Sequence, residues 1–565
     1  MSAEPPAPLN LSAADSRPEL LRVLGLGIAI AMVVGNTIGS GIFLKPGKIA
    51  GDAGSFPLIV TGWIGGGFVC LLGALCFAEL GAMLPRAGGM YVYLKEAYGR
   101  PIAFLFGWCE FFFGTPASCG ALSVAIVTTL MVLVIGPPPL MTGRLTEDIT
   151  AEQTTIRLDR VDDFPTRGLF RIQVDDEKLT VIAVNAATGT LTVKRGAAET
   201  EAVAHAAGAM ASGRRNFNSL ILIPGALLLL AFVTCVNVRG AIWGGSVQAV
   251  TTVIKVGSVA LIALVPFLLL AVGRSQVDFS FYATSVTPTK TTLPAQMAAV
   301  MMAVMWAYNG WEGVTPVAAE VRDPTRNIPR ALLGGVGILI AVYVGANVAY
   351  HGVLSMSELK EAGMSTAPVM LHKQFSVFGA RAGEIAATAV SLVISLSAFG
   401  AINSNLMHSP RVAYAMGHDG AFVKMLGHVH ASFRTPAIAI CTQATMASVM
   451  VVGFEFAQRN FEQLMDINLF DLLTDYVIFS ASVFQVLTVI GVMLLRHKHP
   501  EWERPYRVLG YPFTPLLFIG FYLWFLPTAY MQQSFSAHVA LTLMALGLPA
   551  YFGYAAWRRT IGSAA

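Results

Sequence analysis

This 565-residue chain is short of charge. Asp, Glu, Lys and Arg together make up 12% of it, about half the share of a soluble domain, against 55% apolar residues. A water-soluble fold is thereby excluded. No long Lys/Arg cluster interleaved with aromatics occurs, and the formal net charge is only +4, so no nucleic-acid partner is expected. The six cysteines (Cys70, Cys76, Cys109, Cys119, Cys235 and Cys441) form no CxxC pair and lie in apolar stretches. They read as small buried side chains, and neither a metal nor a cofactor is expected. The intramembrane-enzyme patterns HExxH and GxGD are missing, and Ser40 has no evident histidine partner, so the chain is not expected to be an enzyme. The N-terminal stretch around Pro5, Pro6 and Pro8 lacks the apolar core of a signal peptide, so the first membrane helix itself should direct insertion.

What the chain has in abundance is apolar runs long enough to cross a bilayer, which takes roughly 20 residues of helix. Reading them between polar breaks predicts an all-α polytopic membrane protein of about twelve transmembrane helices, near 22–50, 55–84, 101–135, 218–237, 241–272, 294–320, 330–355, 380–408, 436–456, 466–495, 512–532 and 536–558. Numbered in that order, they make residues 1–20 an N-terminal tail, 21–136 segments 1 to 3 and 218–560 segments 4 to 12. Alternate loops, with Arg86, Arg322, Arg326, Arg411, Arg496 and Arg504 among their residues, together with Arg17, Arg22, Arg558 and Arg559 of the two ends, hold 18 basic residues against eight in the opposite loops outside the long third-to-fourth connection. The positive-inside bias therefore predicts a cell-membrane protein with both termini cytoplasmic.

The third-to-fourth connection, residues 137–217, breaks the pattern, because it is dense with charge between Gly143 and Arg215 and must sit in water. Leu169 to Val174, Leu179 to Val184 and Leu191 to Lys194, with a turn at Asn185 to Gly189, are β-branched and partly alternating. A small β-rich extracellular insert is predicted. It resembles short β modules of phage structural proteins, which implies no ligand, and a solvated decoration is the simpler reading.

Chemistry concentrates in two interruptions. Segment 1 reads Val33-Val-Gly-Asn-Thr-Ile-Gly-Ser-Gly-Ile-Phe43, with three glycines and two small polar residues at membrane depth. An unwound turn there would free backbone groups: the half-helix starting near Ser40 would aim N–H groups at an anion, and the one ending near Thr37 would offer carbonyls to a cation. Close helix packing explains such glycines equally well. A second interruption, Trp306-Ala-Tyr-Asn-Gly-Trp-Glu-Gly313, lies five helices on. Two broken helices at matching positions of two five-helix repeats point to a secondary transporter with its site near the bilayer midplane, and an odd repeat length inverts the repeats. Lys255 stands near the middle of segment 5, too deep to snorkel easily, and needs a partner.

Gly35-Asn-Thr-Ile-Gly-Ser-Gly-Ile-Phe43, Ala78-Glu-Leu-Gly81 followed by Leu84-Pro-Arg-Ala-Gly-Gly89, Glu320-Val-Arg-Asp-Pro-Thr-Arg-Asn-Ile-Pro329 and Pro410-Arg-Val-Ala-Tyr-Ala-Met416 resemble the amino acid-polyamine-organocation (APC) superfamily. Arg504-Pro-Tyr-Arg507 followed by Gly510-Tyr-Pro512 resembles its L-type amino acid transporter branch. The resemblance implies a 5+5 inverted-repeat fold with broken helices 1 and 6. It implies that the N–H groups of Gly39, Ser40 and Gly41 bind a substrate carboxylate, and that carbonyls of Thr37, Ile38, Trp306, Ala307 and Asn309 bind its α-ammonium. It further implies that Trp306 is a gating aromatic, where the family usually has phenylalanine, and that Lys255 lies against the segment 1 break in place of a sodium ion. Proton coupling through Lys255 and a permanently charged structural lysine both remain open. Trp306 and Asn309 depart from the family's usual residues, so the side-chain pocket is expected to differ.

The expected function is Na⁺-independent uniport or exchange of uncharged L-amino acids in the lipid bilayer by alternating access. A carrier of another small amine, or a membrane-anchored nutrient sensor using the insert, are the alternatives. L-type transporters with a heavy partner chain carry the linking cysteine in the third-to-fourth connection; this one has none, so no disulfide-linked heavy chain is expected. Glu79 and Glu320 are expected to pair with Arg86, Arg322 and Arg326. Glu110 could face the solute cavity, although packing is the default for it, and His408 is left outside the site.

Overall fold

Apolar residues fill the chain so evenly that its helices have no single wet face, and the structure uses them accordingly. The computed structural model describes residues 20, 22–136, 140–165, 169–197, 200–214, 219–290, 292–460, 469–532 and 534–562. The predicted N-terminal tail lies, up to residue 19, outside the described residues, as does the predicted start of segment 10 up to residue 468. Among the described residues, eleven helices are long and apolar enough to span a bilayer, from Leu26–Leu44 to Ala537–Thr560. The twelfth crossing is segment 6, a shorter apolar helix, Leu293–Tyr308, continued by turns to a 3₁₀ turn at Ala318–Glu320. Segments 4, 5 and 12 sit at the periphery with most of their residues uncovered, and exposed Leu228, Leu264 and Phe552 are what a lipid-facing surface requires.

Several ends fall where local chemistry puts them. Segment 1 does not run on to residue 50 as expected; it stops at Leu44, and Pro46, which has no N–H to donate, opens a separate helix, Pro46–Ala53. Segment 8 runs past its expected end near 408 to His418, through Pro410. Segment 3 contains one turn of π-helix, Glu110–Gly114, directly before Pro116. A proline ring clashes with the carbonyl four residues back, and a widened turn relieves that clash while rotating Glu110 relative to the helix below it.

Segment 1 packs against segments 5, 7 and 8, which surround it with protein. Its entry is stapled to the exit of segment 6: Leu24 N–H donates to Glu320 O at 2.9 Å, and Arg322 N–H to Leu24 O at 2.8 Å. The two broken segments therefore lie side by side and run in opposite directions, as inverted repeats demand.

The insert is a six-stranded antiparallel sheet of β1 (Leu140–Arg144), β2 (Thr155–Arg157), β3 (Phe170–Val174), β4 (Glu177–Asn185), β5 (Thr190–Ala197) and β6 (Met210–Arg214), in the order β1-β6-β3-β4-β5-β2. The sequence pattern had pointed to β3, β4 and β5 only. Strands β1 and β6 carry Gly143 and Gly213, and β2 is three residues long, so none shows alternation. Met141, Ile156, Ile172, Leu179, Val181 and Leu191 form its own apolar core. Leu140 pairs with Arg214, so the sheet's two ends meet where the chain leaves and re-enters the helical bundle.

Beneath that core lies a buried ionic knot. Arg195 donates to both carboxylate oxygens of Glu177, at 2.9 and 2.7 Å, Gly196 N–H donates to it at 2.8 Å, and His205 Nε2 lies 2.8 Å away. Burial by itself would push the Glu177 carboxyl up, but the bonds from Arg195, Gly196, His205 and Val203 outweigh it and bring it from 4.5 down to about 2. A carboxyl whose folded value is depressed stabilises the fold above its unfolded value and loses that contribution as pH falls through the folded one. Hydrogen exchange on the full chain should therefore show protection of β4 and β5 decaying between pH 4.5 and about 2. Glu177→Gln should flatten that dependence and lower protection already at pH 7.

Candidate functional site

The helix of segment 1 ends at Thr37; Ile38, with ψ 84°, leaves helical geometry, and a new helical turn begins at Gly41. Every backbone group freed there needs a partner, since no bulk water reaches bilayer depth. Lys255 Nζ donates to Gly35 O at 2.7 Å and is fully buried. The Tyr343 hydroxyl lies 3.2 Å from Thr37 O and 2.9 Å from Ala307 O, bridging the two breaks. The Ser397 hydroxyl lies 3.2 Å from Ile38 O and 3.0 Å from Gly39 O. Gly39 N–H turns back to Thr37 O at 2.8 Å. The N–H groups of Ser40 and Gly41, opening the second half-helix, find no backbone acceptor among the described residues.

Segment 6 breaks beside it. Its helix closes with Asn309 N–H on Trp306 O at 3.1 Å, and Gly310 then takes φ +97°, a conformation side chains rarely adopt. Asn36 Nδ2 crosses to Gly310 O at 2.9 Å. The fit is close: a Cβ on Gly41 would come within 2.7 Å of Ala307 Cα, and one on Gly35 would collide with the Thr252 hydroxyl.

Both breaks open into one cavity of about 920 Å³, counted together with the open solvent at its mouth. Of the residues singled out from the sequence, Thr37, Gly39, Ser40, Gly41, Trp306 and Asn309 line it. Ile38 and Ala307 are buried behind that wall, and Lys255 touches the break from the side away from the cavity lining. From the breaks the cavity extends past Phe106, Met90, Pro316 and Val412, toward the face opposite the β insert. On the insert side, Trp306 and Leu44 pack on an apolar cluster that includes Leu122, Ile126, Ile402 and Leu406.

Three titratable side chains in the wall were not among the expected site residues: Glu110, His408 and Glu312. Glu110 Oε1 accepts from the Thr115 hydroxyl at 2.6 Å and lies 3.4 Å from His408 Nε2. His408 Nδ1 is 2.9 Å from Ser404 O, and since a carbonyl only accepts, that nitrogen carries the hydrogen. Nε2 and the Glu110 carboxylate therefore face each other across a contact that a shared proton satisfies. Glu312 Oε1 accepts from Gln485 Nε2 at 3.1 Å, and Gln485 Oε1 in turn accepts from the Tyr522 hydroxyl at 3.0 Å. Glu110, which the sequence allowed to face the cavity while packing was its default, does line it, and the π-turn of segment 3 begins at that residue.

The expected pairing of the other acids is corrected. Glu79 meets Arg496, with Arg496 Nε on Oε1 at 2.9 Å, and takes Val508 N–H at 2.7 Å, whereas Arg86 pairs with Glu96 at 3.1 Å. Glu320 meets Arg411 at 3.0 Å, fully buried, rather than Arg322 or Arg326. Packing of segments 2 on 10 and 6 on 8 brings these partners together, and closeness in sequence did not predict it.

Comparison with known proteins places the chain among carriers. A family model described as amino acid permease matches residues 24–548. The chain is 28% identical to the serine/threonine exchanger SteT of Bacillus subtilis, over 94% of this chain and 97% of that one. It is 27% identical to the human large neutral amino acids transporter small subunit 2, over 95% and 81% respectively. It is 25% identical to the mouse Asc-type amino acid transporter 1, over 96% and 83%.

The tight crossing of the breaks is testable. Gly310→Ala forces a methyl-bearing residue into φ +97° and drives its Cβ to within 2.5 Å of Asn36 Nδ2; it should destabilise the detergent-solubilised protein by about 1–3 kcal/mol. Gly257→Ala, a lipid-side helical position with open space around the added methyl, should not. Thermal unfolding of the purified variants compares them directly.

Proposed function

The chain belongs to the amino acid permease family, and from that premise we propose that it carries L-amino acids across the membrane by Na⁺-independent alternating access, as an exchanger. The observation that carries this reading is the pair of broken helices joined through Asn36 and Tyr343 and opening into one cavity. The amino acid's carboxylate sits on the N–H groups of Ser40 and Gly41, with Gly39 adjoining, where the half-helix dipole is positive. Its α-ammonium sits on carbonyls of the two breaks, Thr37, Ile38, Trp306, Ala307 and Asn309; those already accepting one hydrogen bond keep a second lone pair.

Lys255 supports the Na⁺-independent reading. Its ammonium already occupies the Gly35 carbonyl at the negative end of the first half-helix, so a fixed cation stands where a mobile one would otherwise be needed. Uptake then needs no sodium gradient, and exchange of one amino acid for another returns the empty carrier.

With the arginine-rich loops in the cytoplasm, both termini are cytoplasmic and the insert is extracellular. The cavity then faces inward, and Trp306 on its apolar cluster forms the closed outer gate. The solute shifts the carrier between states only through contacts that differ between them. The insert connection holds no cysteine, so a heavy chain has no thiol there to link through. Beginning and ending on paired strands, the insert hangs on the bundle as a closed module.

Radiolabelled amino acid uptake into proteoliposomes should appear, should rise when amino acid is enclosed inside, and should not need sodium. Absence of uptake for every amino acid tried, with or without a proton gradient, overturns the proposal. Lys255→Ala, at matched incorporation, should lower uptake by roughly a hundredfold or more, as expected when a buried side chain that caps the Gly35 carbonyl is removed. Transport undiminished in that variant would remove Lys255 from the mechanism.

The same vesicles address the insert. Deleting residues 143–213 should leave exchange within about threefold of the intact chain, since the strand ends it removes already lie together. Loss of transport with intact folding would instead favour a sensor or receptor built around the sheet.

A further inference from the structure

Beyond the groups that hold an amino acid's main chain, the cavity wall contains a carboxylate with nothing to hold. Glu312 is 8% exposed, and its Oε1 accepts from Gln485, but Oε2 is buried with no hydrogen-bond partner. A buried carboxylate oxygen without a donor costs more than an ordinary hydrogen bond contributes, so a solute that donates to it gains by binding there. Oε2 itself is turned away from solvent, but Glu312 lines the same cavity as the two breaks, and a rotation of its carboxylate would bring Oε2 to the cavity face.

The rest of this wall is poor in cations, although the Ser40 and Thr315 hydroxyls in it are themselves unpaired among the described residues. Glu110 is partly exposed to the cavity, and His408, which faces it, is the one basic side chain among the residues lining the cavity. Lys255 donates to Gly35 from behind the break, and Arg411 is spent on Glu320. Asn405, the other amide near Glu110, donates to the Ser118 hydroxyl at 3.1 Å. Glu312 and Glu110 thus face the cavity with His408 as the one basic side chain lining it among the described residues.

We propose that Glu312, with Glu110 beside the same cavity, forms a side-chain subsite that selects amino acids whose side chain ends in an N–H or O–H donor. Hydroxyl, amide and ammonium side chains share this chemistry; aliphatic ones of the same shape leave Oε2 unpaired on binding. The proposal rests on the amino acid reading of the cavity and adds to it which solutes are preferred. It depends on discrimination by hydrogen bonding, which separates solutes far more sharply than a missing methylene does, because the unmet polar group is in the protein.

Shape-matched pairs test it. Threonine against valine and serine against alanine probe the hydroxyl, glutamine against methionine the amide, and ornithine the ammonium. Two readouts apply to the full chain: ligand-induced thermal stabilisation in detergent, and kcat/KM for uptake into proteoliposomes. In the wild type, threonine should exceed valine by roughly tenfold or more. In Glu312→Gln the ratio should fall to within about threefold, because an amide in place of the carboxylate weakens the acceptor and offers a donor instead. A wild-type threonine-to-valine ratio within about threefold, alongside robust uptake, overturns the subsite while leaving the transport reading intact. An unchanged ratio in Glu312→Gln also overturns it. If that variant does not fold, Glu110→Gln and the wild-type ratio decide in its place. Binding of no amino acid at all removes both readings together.

Discussion

The structure depends on one constraint: a polypeptide that unwinds in the middle of a bilayer must pair every backbone group it frees without help from bulk water. Segment 1 meets it with side chains drawn from three other segments. Lys255 from segment 5 takes Gly35 O, Tyr343 from segment 7 takes Thr37 O, and Ser397 from segment 8 takes Ile38 O and Gly39 O. These are the same segments that pack around segment 1, so the break is possible only where the bundle already surrounds it. The groups left over are donors at Ser40 and Gly41 and the second lone pairs of the carbonyls, which are the groups an amino acid's two charged ends can use.

The same constraint explains why glycine is confined to particular positions of the break. Gly35 and Gly41 are places where a Cβ would strike Thr252 or the backbone of Ala307, and Gly310 is where the chain must turn with positive φ under the Asn36 amide. Close approach and unwinding, which the sequence offered as competing explanations, turn out to require each other. Without close approach, Asn36 and Tyr343 could not span both breaks, and the freed carbonyls would have no partner.

How much of this was legible depended on the range of the interaction. Membrane insertion, the crossings and the two interruptions rest on composition and short runs, and these were readable directly. The hydroxyl caps from Tyr343 and Ser397 were not, because a tyrosine or serine in an apolar helix is ordinary until its neighbour is known. Nor were the partners of Glu79 and Glu320, which come from segments 10 and 8 and not from the nearest arginines. Glu110 was legible only as a residue that could face the cavity: the π-turn that begins at it, ahead of Pro116, shifts the helical phase without leaving a mark on periodicity. Strands β1, β2 and β6 were missed because two carry glycine where alternation would show and the third is too short to alternate.

The sidedness of the cavity follows from how unequally its two ends are built. On the insert side, Trp306 and Leu44 close it with apolar contacts to segments 3 and 8, which are non-directional and can be remade in a shifted packing. On the opposite side, the chain is tied by directed bonds: Arg411 with Glu320, Arg496 with Glu79, and Lys95 with Asp419 at 2.6 Å. The first joins segment 8 to the exit of segment 6, and the last joins it to the short helix Met90–Tyr98. A movement that closed the cavity on this side would have to carry those ion-paired elements as units, since breaking a buried pair leaves an uncompensated charge. The elements free to move are then the broken halves between the ties, so the hinge of the transport cycle coincides with the proposed binding site.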